Sequence, residues 1–147
     1  MHVKKWLSWA LVLAWMFLIF SFSAQQGSAS GSLSGSIVDA VLSVWEFLFP
    51  TIELERETVH LFIRKGAHFS VYLILGLFSA NALNQSGLKG KKRFGYALLL
   101  CALYAASDEW HQSFVPGRGP SAWDVLIDSA GAAVGSGFFG WIRQDGY

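Results

Sequence analysis

Between Ser107 and Gly135 the chain sets Asp108, Glu109, His111, Gln112, Arg118, Asp124 and Asp128 among apolar residues. Ionisable groups in such surroundings are costly unless they pair, bind something or reach water. Asp108, His111 and Gln112 share a helical face at spacings of three and four, and Asp124 and Asp128 share another at a spacing of four. Further upstream, Lys65, His68, Tyr72 and Gly76 follow steps of three, four and four, so they too project from one face. Three kinds of chemistry fit these types and spacings. An internal ion-pair network would lock helices together. An oxygen-rich cluster of Asp108, Glu109, His111, Asp124 and Asp128 would suit a divalent cation, although no HExxH pattern singles out a metal set. An anion site would use Lys65, His68 and Arg118 to grip a phosphate while a carboxylate or histidine acts as acid or base. In that last case His68, Asp108, Glu109 and Asp128 are the candidate catalytic groups, and Lys65, Tyr72, Gln112, Arg118 and Asp124 the candidate substrate-binding ones.

The elements that must position these groups follow from composition. A chain of 147 residues that is 53% hydrophobic and only 14% charged is a single integral membrane domain by these measures, since soluble domains carry roughly 25% charged residues. Its net charge of +1 supplies no basic field for nucleic acid. The single Cys101 lies in an apolar run and can form no internal disulfide.

Apolar runs predict an all-α bundle of four transmembrane helices over residues 6–22, 58–83, 94–110 and 122–142. The first could also be read as a cleaved signal peptide, but its apolar run is longer than a typical signal core. Ser23 to Ser36 is rich in Ser, Gly, Ala and Gln and reads as a flexible linker. Ile37, Val41, Val44 and Leu48 predict a short amphipathic helix over 37–49, stopped by Pro50, that either lies on the membrane or packs as a loop helix. Asn84 to Arg93 reads as a lysine-rich loop, and Ser121 as a helix cap through its hydroxyl, with Asp124 complementing the positive end. Gly131 with Gly135, and Ala132 with Ser136, form small-xxx-small pairs suited to close helix packing in lipid.

Lys4, Lys5, Lys89, Lys91, Lys92, Arg93 and Arg143, seven of the eleven basic residues, flank one set of span ends. By the positive-inside rule that side is cytoplasmic, both termini lie inside, and the polar groups gather at the outer face.

Three ordered motifs carry a family resemblance. They are Arg64-Lys65 with His68, Phe69, Tyr72 and Gly76; Asp108-Glu109 with Gln112, Pro116 and Arg118; and Asp124 with Asp128, Gly131 and Gly135. Together with Ser23-Ala-Gln25 they resemble the VanZ-like family through nearly the whole chain, although 37–57 carries no motif of it. The resemblance implies a small multispanning protein of the bacterial cytoplasmic membrane, in a family whose founding member is associated with resistance to the glycopeptide teicoplanin. It carries no catalytic assignment. Some members bear a phosphotransbutyrylase label, but nothing in this chain resembles a soluble acyltransferase. Two functions are therefore expected: a protein that binds an anionic or polyprenyl-linked envelope lipid or a glycopeptide-related ligand, or an enzyme acting on such a lipid at the outer leaflet. The sequence names no protein partner, and a divalent cation is the one cofactor class it brings into view.

Overall fold

The computed structural model describes residues 2–24, 27–117 and 119–143. Among these the chain forms five α-helices and no strand: α1 (His2–Ser23), α2 (Gly27–Leu48), α3 (Arg56–Gln85), α4 (Gly90–Gln112) and α5 (Ala122–Ile142). Three of them, over Val3–Ser23, Arg56–Gln85 and Ala122–Ile142, are long and apolar enough to cross a membrane. α3 is the centre of the bundle and touches all four other helices.

Small residues make the interior. Ala80, Ala82, Ala97, Ala105, Ala132 and Cys101 are fully buried, while large apolar side chains such as Phe47, Phe62, Trp123 and Trp141 are exposed. In water this arrangement would be unstable. In lipid it is expected, because hydrocarbon solvates large apolar side chains and close backbone approach supplies the packing between helices.

The closest approach joins α3 to α5. A Cβ added at Gly131 would overlap the Phe69 carbonyl, one at Gly135 the Leu73 carbonyl, and one at Gly76 the backbone of Ala132. α1 lies against the other side of α3, where Trp15 Nε1 donates to the Val71 carbonyl at 3.0 Å and Trp9 Nε1 to Ser86 Oγ at 3.1 Å. The Tyr104 hydroxyl donates to the Met16 carbonyl and ties α4 to α1. α3 ends in a Schellman turn. Leu88 N–H donates to the Leu83 carbonyl and Gly87 N–H to that of Asn84, both at 3.0 Å, with Gly87 at φ +94°, a conformation only glycine adopts at no cost.

The observed elements differ from the expected ones in three places. The stretch read as a flexible linker is largely helical, since α2 starts at Gly27 and includes residues 27–36. Gly and Ser weaken a helix by at most about 1 kcal/mol each relative to Ala, and a helix satisfies its own backbone where water is scarce. Serine hydroxyls also find partners inside it, as Ser43 Oγ does on the Asp39 carbonyl at 2.8 Å. The expected amphipathic segment is the second half of this same helix. Its Val38 is buried while Ile37, Val41, Val44 and Leu48 face away from the bundle, and an Asp39–Arg56 ion pair ties it to the start of α3.

The expected basic loop over residues 84–93 is shorter, because α3 runs to Gln85 and α4 begins at Gly90. Arg93 is thereby buried, 5.1 Å from the Phe139 ring centroid and with Nη1 3.5 Å from Asn84 Oδ1. The third expected span corresponds to α4, which does not qualify as a span on apolarity. It carries Lys91, Lys92 and Arg93 at one end and Asp108 and Glu109 at the other.

Replacing Gly135 with Leu is expected to force α5 off α3, at a cost of about 3 kcal/mol or more given the usual range for overpacking. Gly137→Ala is the control, since its Cβ would meet only the Phe94 ring at 3.8 Å. Thermal denaturation in detergent should show a much lower Tm for Gly135→Leu and no loss for Gly137→Ala.

Candidate functional site

α3 and α5 run in the same direction, and their polar residues repeat with the same four-residue step. Arg64 and His68 on α3 therefore meet Asp124 and Asp128 on α5, one helical turn apart. Lys65 Nζ forms a close ion pair with Asp124 Oδ1, and Arg64 Nη2 lies 4.0 Å from Asp124 Oδ2. One turn deeper, His68 Nδ1 sits 3.3 Å from Asp128 Oδ1 and 3.5 Å from its other oxygen. Both aspartates are buried, whereas about a third of each basic side chain reaches the surface, 37% for Arg64 and 34% for Lys65.

The C-terminal turn of α4 brings in the remaining groups. Gln112 Nε2 donates to Asp108 Oδ2 at 3.1 Å, and both residues are buried. Glu109 Oε2 accepts from the Ser121 backbone N–H at 2.7 Å, which pins the start of α5 against the end of α4. The Tyr72 hydroxyl, Asp108 Oδ1 and Glu109 Oε1 are buried and have no hydrogen-bond partner among the described residues.

Of the residues picked out from the sequence, the structure gathers Lys65, His68, Tyr72, Asp108, Glu109, Gln112, Asp124 and Asp128 at one end of the bundle. Arg118 lies outside the described residues, as does Gln25. His68, Glu109 and Asp128 each bring a potential ligand atom within 4.8 Å of the others. His111 and Asp124, both in the oxygen-rich set expected from sequence, are not part of this group. His111 stacks on Phe20 with centroids 4.5 Å apart, and Asp124 is taken up by Lys65 and Arg64.

Two local details depart from expectation. Ser121 occupies the cap position of α5, but its hydroxyl makes no capping bond. The Asp124 N–H instead bonds the Ser121 carbonyl at 2.9 Å, and the Asp124 side chain pairs with Lys65. Arg64 belongs to the first family motif, and the structure adds it to the site. Its four-residue spacing from His68, equal to that of Asp124 and Asp128, is the signal that pairs it with α5.

A family model described as VanZ/LLP1 matches residues 8–143, nearly the whole chain. The chain belongs to the VanZ/LLP1 family. No curated protein and no solved structure matches it. The matched region of this VanZ protein contains α3, α4, α5 and every group just described.

Removing Lys65 leaves Asp124 buried with a single distant cation. Breaking a buried pair from one side costs about 3–5 kcal/mol, whereas replacing both partners with apolar residues is often neutral. Lys65→Met should therefore lower stability by about 3 kcal/mol, and the double variant Lys65→Met/Asp124→Leu should recover most of it. A double-mutant cycle on unfolding in detergent measures the coupling.

Proposed function

We propose that this VanZ protein binds the phosphate of an anionic envelope lipid at the polar end of the α3–α5 seam. The observation that carries the reading is the arrangement of two half-exposed cations, Arg64 and Lys65, over one buried carboxylate, Asp124. The two cations share this one carboxylate, and about a third of each side chain remains exposed. A guanidinium with free N–H groups suits phosphate oxygens, and a lysine adds a point charge beside it. Arg118, between Gly117 and Gly119 in the connection from α4 to α5, is a third cation placed by sequence at this end. Such a site takes a phosphate-bearing lipid, polyprenyl-linked lipids included.

In this reading α4 is a fourth span. Tyr96, Leu99, Leu103 and Trp110 form an exposed apolar stripe on it, while Ala97, Cys101, Ala105 and Asp108 are buried on the opposite face. Its charges therefore point into the bundle or lie at its ends, where lipid does not meet them. The basic residues at Lys4, Lys5 and 89–93 put both termini in the cytoplasm and the polar site at the outer face.

Orientation is tested with introduced thiols. Gly119→Cys suits the purpose, because that position is exposed and has open space around its Cβ, whereas Gly117 holds a φ of +77° that a side chain would strain. An impermeant thiol reagent added to intact cells should label Gly119→Cys and spare Lys91→Cys. Labelling of Lys91→Cys alone would reverse the topology and remove the outward-facing site.

Lipid binding is tested by native mass spectrometry of the purified protein with polyprenyl phosphate, with phosphatidylglycerol and with phosphatidylcholine. The wild type should retain the two anionic lipids over the zwitterionic one. Arg64→Gln and Arg118→Gln should each weaken retention roughly tenfold or more, as the loss of a charged hydrogen bond predicts. Folded variants that bind as well as the wild type would end the proposal.

A further inference from the structure

Among the described residues, the polar end of the bundle contains more buried carboxylates than cations. Asp108, Glu109, Asp124 and Asp128 are all at most 4% exposed. Among the described residues, the cations that reach them are Arg64 and Lys65, both on Asp124, and His68, paired with Asp128 and within 4.8 Å of Glu109. Asp108 has the neutral Gln112 amide and Glu109 a backbone N–H, and each keeps one buried oxygen without a hydrogen bond. Among the described residues four buried carboxylates face three cations, so one negative charge remains to be balanced, and a buried charge is costly unless it is paired or coordinates a metal.

Geometry shows where a balancing cation would sit. His68 from α3, Glu109 from α4 and Asp128 from α5 place one ligand atom each within 4.8 Å of one another. His68 Nδ1 and Asp128 Oδ1 are 3.3 Å apart, close to the separation of roughly 3 Å between neighbouring ligands on an ion bound at about 2.1 Å. The three donors come from three helices, so one ion would join all of them. The buried Asp108 and the buried, unbonded Tyr72 hydroxyl lie at the same end of the bundle.

We propose that His68, Glu109 and Asp128 form a binding site for one divalent first-row metal ion of the zinc or manganese kind. A ligand set of one imidazole and two carboxylates suits these ions better than Mg2+ or Ca2+, which prefer oxygen alone. Two carboxylates neutralise the ion's charge, so the complex is tolerable in a low-dielectric interior. Three protein ligands leave at least one coordination position open. The site stands independently of the lipid reading, since the ion balances the buried carboxylates whether or not a headgroup binds.

The experiment uses full-length protein in mild detergent, stripped with a chelator, incubated with Zn2+ or Mn2+ and desalted. Elemental analysis should find about one ion per chain, and Tm should rise with metal. X-ray absorption of the bound ion should show a single imidazole among oxygen ligands. Glu109→Gln keeps shape and removes charge. It should lower metal affinity by more than the roughly 10–100-fold lost when only a residue supporting a ligand is changed. His68→Asn should do the same, and His60→Asn, two turns away on α3, should bind as the wild type does. Wild-type protein that retains neither ion, an absorption spectrum without imidazole, or a folded Glu109→Gln with wild-type affinity would each overturn the site. The first result would mean that the carboxylates are neutralised by protons. Binding of polyprenyl phosphate to the metal-free protein separates this outcome from a failure of the lipid reading.

Discussion

The backbone contact between α3 and α5 is the constraint on which the other features of this protein depend. Gly131 and Gly135 let α5 press against the carbonyls of Phe69 and Leu73, and Gly76 accepts the backbone of Ala132. Because the two helices are parallel and this close, residues at the same four-residue step face each other along the seam. Below, the step brings together glycine and backbone. Above, it brings Arg64 and His68 to Asp124 and Asp128. The polar groups meet because the small residues let the backbones approach, and the ion pairs fall in the register that this backbone contact sets.

The distribution of side-chain size follows from the same cause. A bundle in lipid gains little from hiding leucine or phenylalanine, which are as well solvated outside as in, so tight contact between backbones supplies most of the cohesion. Here much of the interior is alanine, glycine, serine and cysteine around a few larger side chains such as Tyr72 and Leu75, and many of the aromatic residues are exposed. Such a core has little apolar volume with which to surround charges. The buried carboxylates are accordingly held by specific partners: a lysine, a histidine, an amide and one backbone N–H.

α4 has a double role that its composition obscures. Its exposed stripe of Tyr96, Leu99, Leu103 and Trp110 suits lipid, yet its last turn delivers Asp108 and Glu109 to the interior. The bond from Ser121 N–H to Glu109 closes the connection between α4 and α5 and brings a third helix to the seam. Glu109 thus joins the end of α4 to the start of α5 and lies beside His68 and Asp128 at once.

The all-α class, the place of α3 and α5, the packing role of Gly131 and Gly135 and the family motifs were legible in the sequence. Apolar run length, small-residue spacing and motif order are local properties that survive without coordinates. The linker before Ile37 was misread because composition reports what a segment prefers in water, and α2 is helical where a backbone must satisfy itself. The membership of the site was only half visible. Periodicity places His68, Asp108, Glu109 and Asp128 on helical faces, but it cannot say which faces meet. His111 and Glu109 are two residues apart on one helix, and the structure turns the first onto Phe20 and the second toward Ser121, His68 and Asp128. The pairing of Lys65 with Asp124 and of His68 with Asp128 was decided by the parallel register of α3 and α5, which is set by backbone contact between residues some sixty positions apart.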